Sequence, residues 1–145
     1  MNYLLSAQTL LDLCAEEPNA AQRWSRDIQT ESLRISVISW AHAASEIASL
    51  DDAEVRRTVE SVFAALIDQI CADVAPLQDG LLGFERNHAE QWRGLMFDRR
   101  LESISQIDRQ VYATAIAEGL AVVEERHALT ETLRQVGLRI VVPGE

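Results

Sequence analysis

The chain has 145 residues, 48% of them hydrophobic, which is enough for one globular domain that buries roughly two-thirds of its unfolded surface. Its formal net charge of −10 opposes binding to a nucleic-acid backbone unless a local basic patch or bridging metal ions intervene, and it favours a basic protein partner instead. No stretch approaches the roughly 18 apolar residues that span a bilayer and no basic leader precedes an apolar run, so we expect one cytoplasmic domain over residues 1–145 without a membrane segment.

Short apolar runs alternate along the chain with longer segments of helical periodicity, a pattern typical of an α/β domain with a parallel sheet. The first part of the sequence predicts strands at residues 2–5 and 33–37 and helices at residues 7–15, 20–28 and 39–50. A long amphipathic helix follows, with Asp51 as its predicted N-cap and Glu54 as the capping-box partner. Pro76 and the Asp79–Gly80 pair interrupt this helical pattern.

The second part of the sequence continues the alternation. It predicts a strand at residues 81–84, a helix at 87–99, and a helix that begins near Asp108 and ends at Gly119. The last strands are predicted at residues 120–123 and 138–142. Together the elements predict a three-layer α/β/α sandwich with a central, mainly parallel sheet of about five strands.

Several single residues are most simply interpreted as structural. Cys14 and Cys71 lie in apolar surroundings without the closely spaced partners of a zinc site, so we expect buried free thiols. The three tryptophans are spaced from apolar neighbours as core residues are. His88 and His127 lie among charged residues and are predicted to face solvent.

Several passages carry a family resemblance. A strand at residues 2–5 precedes the run 10–13, Phe84–Glu85 precedes the passage 89–95, and Asp108 precedes a small-residue helix and an apolar strand. In the order of its elements and in these local sequence motifs, nearly the whole chain resembles the PIN domains of the VapC-type toxins of bacterial toxin–antitoxin pairs. The resemblance implies a PIN-like fold, Mg²⁺- or Mn²⁺-dependent ribonuclease chemistry, a homodimer and an antitoxin partner.

The chain departs from that family at the positions that carry its chemistry. Ser6-Ala7-Gln8 occupies the place of the family's Asp-Thr-Asn-type motif, His42 stands where the family has a Glu, and Glu124-Glu125-Arg126 occupies the final motif. Asp108 matches the family's acid on the later helix. The resemblance therefore implies a vestigial cleft with Asp108 as its retained catalytic acid, which we expect to be insufficient alone. The vestigial cleft positions are Ser6, Gln8, His42, Glu124 and Arg126.

Ligand chemistry argues against a conventional metal site at these positions. Hard cations such as Mg²⁺ need several oxygen ligands, whereas Ser6 is a poor neutral ligand and His42 prefers softer metals. Arg126 brings a positive charge to the place of the cation, so we expect no metal cofactor. One hypothesis is that Arg126 replaces the metal by pairing with Asp108, and the alternative is that Arg126 turns to solvent.

A rebuilt metal site is a further alternative. It would use Asp108, Glu124, His42 and Glu46, a mixed set that suits Mn²⁺, Zn²⁺ or Fe²⁺ better than Mg²⁺. His42 and Glu46 are four residues apart, however, and such a pair is more often exposed on a helix face. The sequence thus favours a catalytically degenerate PIN-like protein that homodimerises and binds an antitoxin-like partner. The alternative is an active, atypical divalent-metal-dependent ribonuclease, and only that alternative makes RNA a partner.

Overall fold

A central sheet organises the protein, whose computed structural model describes residues 1–73 and 80–145. The described sheet has five strands, all parallel, in the order β3-β2-β1-β4-β5. In chain order the strands are β1 Tyr3–Leu5, β2 Leu33–Ser36, β3 Leu81–Leu82, β4 Ala121–Val123 and β5 Arg139–Val141. The change of strand order on either side of β1 places the carboxyl ends of β1, β2 and β4 side by side, where α/β proteins commonly form their sites.

Helices cover both faces of the sheet. In the described part of the chain they are α1 Ala7–Leu13, α2 Ala20–Ser25, α3 Val37–Ala48, α4 Ala53–Asp73, α5 Arg86–Met96, α6 Gln106–Glu118 and α7 Thr130–Gln135. Successive residues of a strand face opposite sides of a sheet. Accordingly, Leu4 and Val122 belong to a core that includes α5, α6 and α7, whereas Leu5 and Val123 belong to a second core that includes α1, α3 and α4. The predicted three-layer α/β/α architecture with a central parallel sheet is therefore confirmed.

Serine residues cap the helices that begin at the carboxyl edge of the sheet. Ser6 accepts a hydrogen bond from the backbone of Thr9 at the start of α1, and Ser36 caps α3 in the same way through Ile38. Ser105 caps α6. Each cap satisfies a backbone N–H group that the first helical turn leaves without a partner. These caps fix where the helices start and therefore where the edge residues lie.

Most predicted elements occur, with ends shifted by one to three residues. Strand 81–84 shortens to β3, and helix 87–99 ends at Met96 before a short 3-10 turn at Arg99–Leu101. Helix α7 was not predicted, because its six residues are too few to show a helical period. The N-cap of α4 is Asp52, not Asp51, since the Asp52 carboxylate accepts the N–H groups of Glu54 and Val55. The predicted break at residues 76–79 lies outside the described residues.

Other single-residue predictions need correction. His88 is buried, not solvent-facing: its Nδ1 accepts the backbone N–H of Glu85, and its Nε2 lies 2.7 Å from Glu118. Cys14 is buried as expected, but Cys71 is exposed. Trp40 is 39% exposed and is therefore not a core residue. None of the described helices combines the length and apolar character that crossing a membrane requires.

Candidate functional site

A cleft of about 690 Å³ opens at the carboxyl edge of the sheet. It lies where β1 meets α1 and β4 meets the following loop, and it is closed on other sides by α3 and the start of α6. Every residue that the sequence proposed for the site lines this cleft. They are Ser6, Gln8, His42, Glu46, Asp108, Glu124 and Arg126.

The Ser6 side chain is held at the cleft by local hydrogen bonds. Its hydroxyl accepts the backbone N–H of Thr9 at 3.2 Å and lies 2.9 Å from the hydroxyl of the same residue. Thr9 in turn donates its own hydroxyl to the Val123 carbonyl at 2.7 Å, which ties α1 to the end of β4. Gln8, in the first turn of α1, donates to the carboxylate of Asp12 at 2.9 Å. Both neutral side chains thus have local partners.

Asp108 lies in the first turn of α6 with its side chain exposed to the cleft. Its backbone N–H donates to the Ser105 hydroxyl at 3.1 Å, so the helix cap sets its position. A carboxylate in the first turn is also favoured by the helix dipole. Asp108 is therefore presented as an open, solvated carboxylate.

Glu124 is only 8% exposed and has hydrogen-bond partners on both carboxylate oxygens. The Tyr112 hydroxyl donates to Oε2 at 2.8 Å, and Nε2 of His127 lies 3.2 Å from Oε1. Burial raises the pKa of Glu124, while the hydrogen bonds from Tyr112 and His127 oppose this shift. Burial and the Glu124 carboxylate also raise the pKa of Tyr112.

Sequence reasoning missed both partners of Glu124. His127 is exposed, as predicted, but its contact with Glu124 was not predicted, and no role was predicted for Tyr112. The spacing Glu124–His127 is the one signal that was available, because side chains three residues apart can meet in a turn. Tyr112 comes from a different element, so only the packing of α6 against β4 brings it to Glu124.

Arg126 does not pair with Asp108, which corrects the first hypothesis for the cleft. Its guanidinium instead binds Glu145 through Nε and Nη2, each at 2.7 Å, and Glu131 at 3.2 Å. These hydrogen bonds raise the pKa of Arg126 above its ordinary range. The side chain lies at the rim of the cleft, half-exposed, and ties the loop after β4 to residues 142–145.

The three acids and one histidine of the rebuilt metal set line the same cleft without coming close enough together to bind an ion. Nε2 of His42 lies 3.8 Å from Glu46, an exposed pair one helical turn apart. Nδ1 of His42 is buried and has no hydrogen-bond partner within the described structure. Among residues 1–73 and 80–145, no three His, Cys, Asp or Glu side chains are gathered closely enough to hold a metal ion.

An apolar groove of about 480 Å³ meets the cleft, since Leu11 and Glu46 line both. It lies between the carboxyl ends of α1 and α3 and the start of α4. Its apolar walls include Cys14, whose pKa burial raises to about 11, so this thiol stays protonated and packs as a small apolar group. Glu16 and Glu17 add negative charge at the groove.

The fold that carries this cleft is similar to that of several solved structures. No family model matches the sequence, and no curated protein matches it either. The structure is similar to FitAcB from Neisseria gonorrhoeae, with a TM-score of 0.78, 16% identity and 97% of each chain covered. The chain has a PIN-like fold.

Two further structures share the PIN-like fold over nearly their full length. One is VapBC2 from Rickettsia felis bound to a promoter DNA fragment, at a TM-score of 0.67, 16% identity and 98% coverage of both chains. The other is VapBC-1 from nontypeable Haemophilus influenzae, at a TM-score of 0.65, 15% identity and complete coverage of both chains. At such identities the likeness shows the fold.

The donor set of this PIN-like cleft does not fit the metal that the resemblance implies. Both oxygens of Glu124 and the hydroxyl of Ser6 are engaged by protein groups. Asp108, which the resemblance proposes as the retained acid, has an exposed carboxylate in the cleft. Hard divalent cations take several oxygen ligands at once, which these residues do not offer in this arrangement.

Proposed function

We propose that this protein is a catalytically degenerate PIN-like, VapC toxin-like protein that acts by homodimerisation and by binding a protein partner, in a toxin–antitoxin context. The observation that carries the proposal is the continuity of the apolar groove with an acidic cleft through Leu11 and Glu46. Such a surface suits a partner segment that carries apolar side chains beside a basic one. Similar solved structures are toxin–antitoxin complexes by description, which supports an antitoxin-like partner.

Charge supports the same choice of partner. The cleft is lined by Glu46, Asp108, Glu124 and Glu125, while its one arginine, Arg126, is paired with Glu131 and Glu145. With a net charge of −10, the whole molecule attracts basic peptides and repels phosphate backbones. A basic side chain of a partner would meet unpaired Asp108 in the cleft.

Homodimerisation is supported by the apolar side chains that remain exposed. Phe97, the residue that follows α5, is 80% exposed, and Ile107 at the start of α6 is 46% exposed. Large apolar side chains on a surface are candidates for an interface when they lie on one face. Light scattering coupled to gel filtration measures the mass directly: twice the monomer mass supports this part of the proposal, and the monomer mass contradicts it.

Partner binding is tested by a matched pair of substitutions on α4. Val55 lines the groove and is 38% exposed, whereas Val62 is equally apolar and exposed but does not line it. In tagged protein recovered from the natural host, we expect Val55→Asp to reduce the co-purified partner about tenfold or more and Val62→Asp to leave it unchanged. Recovery of the tagged chain alone, from wild type and variants alike, would contradict partner binding.

The alternative function is an active, atypical divalent-metal-dependent ribonuclease. It is favoured by the one observation that Asp108 and three glutamates line the same cleft. Cleavage of single-stranded RNA in the presence of Mg²⁺ or Mn²⁺ distinguishes the two functions. Cleavage that is lost in Asp108→Asn would establish the enzyme, while equal background cleavage by both proteins would exclude it.

A further inference from the structure

We infer that Tyr112 and His127 are positioning residues that organise the cleft through Glu124, in the place where a metal-dependent site would rely on an ion. The inference concerns the folded chain by itself. It goes beyond the proposed function, because the cleft can be organised in this way whether or not a partner binds there. The evidence is the arrangement of hydrogen bonds around Glu124 and His127.

The two carboxylate oxygens of Glu124 face different elements. Oε2 accepts the hydroxyl of Tyr112, which lies in the second turn of α6, and Oε1 contacts His127 in the loop after β4. The Glu124 backbone N–H donates to the Val141 carbonyl at 3.1 Å, which continues the pairing of β4 with β5. Glu124 thus joins α6, the sheet and the loop, as a bound cation could join ligands from several elements.

His127 has four hydrogen-bonding groups, and all of them are used; its backbone carbonyl accepts the backbone N–H of Thr130 at 3.1 Å. Its backbone N–H donates to the Thr130 hydroxyl at 2.9 Å, and its Nδ1 accepts the backbone N–H of Leu129 at 3.1 Å. Because Nδ1 accepts a hydrogen bond, the proton of the neutral ring lies on Nε2 and is donated to Glu124. The ring therefore closes the turn before α7 and holds it against the buried carboxylate.

A metal ion could use Glu124 as a ligand only by sharing a carboxylate that is already hydrogen-bonded on both oxygens, or by withdrawing it from Tyr112. Withdrawing the carboxylate from Tyr112 would leave a buried hydroxyl without its acceptor, which is unfavourable. Ser6 offers no compensating oxygen, since its hydroxyl is bonded to Thr9. The geometry therefore favours a cleft that is complete without a metal, even though the fold is shared with metal-dependent nucleases.

The test uses the full-length protein and measures local order and metal response separately. Hydrogen exchange of residues 124–130 is compared in wild type, Tyr112→Phe and His127→Ala. We expect both variants to increase exchange in this segment about tenfold or more. Tyr3→Phe is the matched control, because it removes the same hydroxyl from the other tyrosine of the chain, on β1, and should leave the segment unchanged.

Two additional measurements separate this inference from a general loss of stability. His127→Gln keeps an N–H donor near the Nε2 position and should restore much of the protection that His127→Ala loses. In wild type, Mn²⁺ should leave the midpoint of thermal unfolding unchanged. The inference is overturned if Tyr112→Phe and His127→Ala leave exchange of residues 124–130 as in wild type, or if Mn²⁺ raises the wild-type midpoint but not that of Asp108→Asn.

Discussion

Burial and hydrogen bonding shift the pKa of the Glu124 carboxyl group in opposite directions. Burial raises its pKa and the nearby charge of Asp108 adds to the shift, whereas Tyr112 and His127 stabilise the ionised form. The net effect is that the pKa of Glu124 is raised. A carboxyl group with a raised pKa contributes stability below its unfolded-state pKa, and this contribution is lost as the pH rises through the folded-state pKa.

Glu124→Gln tests that direction. Glutamine has the same shape and does not titrate, so the variant removes this group's share of the pH dependence. Between about pH 5 and about pH 8, we expect the free energy of unfolding to fall more steeply for wild type than for Glu124→Gln. Urea denaturation at both pH values measures this difference. Identical slopes would show that the carboxyl group is not shifted in the folded protein.

For two other residues, the neighbouring sequence did not predict the environment of the side chain. Arg126 lies where a cation would in the resembled family, yet its partners are Glu131 and Glu145, the latter 19 residues away. His88 lies among charged residues in sequence but is 2% exposed, because Glu85 and Glu118 satisfy its two ring nitrogens. Sequence neighbours did not indicate either environment, since Glu118 and Glu145 come from distant segments.

Among the elements, the connection from α5 to α6 depends on one buried arginine. Arg109 is 5% exposed, and its guanidinium donates to four backbone carbonyls at 2.5–3.3 Å. The acceptors are Leu95, Met96, Leu101 and Ile104. The backbone of the connection supplies donors to some of these carbonyls, as Asp98 does to Leu95 and Ile104 does to Leu101, and the guanidinium adds the donors that bind the connection to α6.

Arg109→Met keeps most of the apolar stem and removes every donor. We expect it to lower the free energy of unfolding by about 3 kcal/mol, because four hydrogen bonds from one charged donor are lost at once. Arg93→Met on the exposed face of α5 is the matched control and should cost less than about 0.5 kcal/mol. Chemical denaturation of both variants makes the comparison, and equal losses would contradict a special role for Arg109.

At the scale of the whole molecule, one sheet supports two cores. Leu4 and Leu5 are adjacent on β1, yet they pack into different clusters on opposite faces. Both clusters therefore depend on the same central strands. A loss of order on one face removes the support of the other, so the described parts of the chain should unfold together.

Calorimetry tests the predicted single domain. We expect one thermal transition whose calorimetric and van 't Hoff enthalpies agree. Ile35→Ala weakens one core and Val122→Ala the other, and each should lower the midpoint of that one transition. Two separable transitions, each moved by one of these variants alone, would show that the faces unfold independently.

The amino-acid sequence by itself determined the order of the elements and the three-layer fold. Apolar runs such as residues 120–123 alternate with amphipathic segments, and this local periodicity decides which residues are buried in strands and helices. Local chemistry also placed the ends of helices, as with Gly119, whose φ of 67° ends α6. The cleft residues could be named because their positions match those of the motifs in the family that the sequence resembles.

Only the tertiary structure decided how those cleft residues are used. The partners of Glu124 and Arg126 come from α6, α7 and residues 142–145, and no local pattern links these segments in sequence. Hydrogen bonds and ion pairs act over a few ångströms, so their choice depends on packing that brings distant segments together. Sequence periodicity therefore specifies the scaffold, while the packed arrangement sets the chemistry of its cleft.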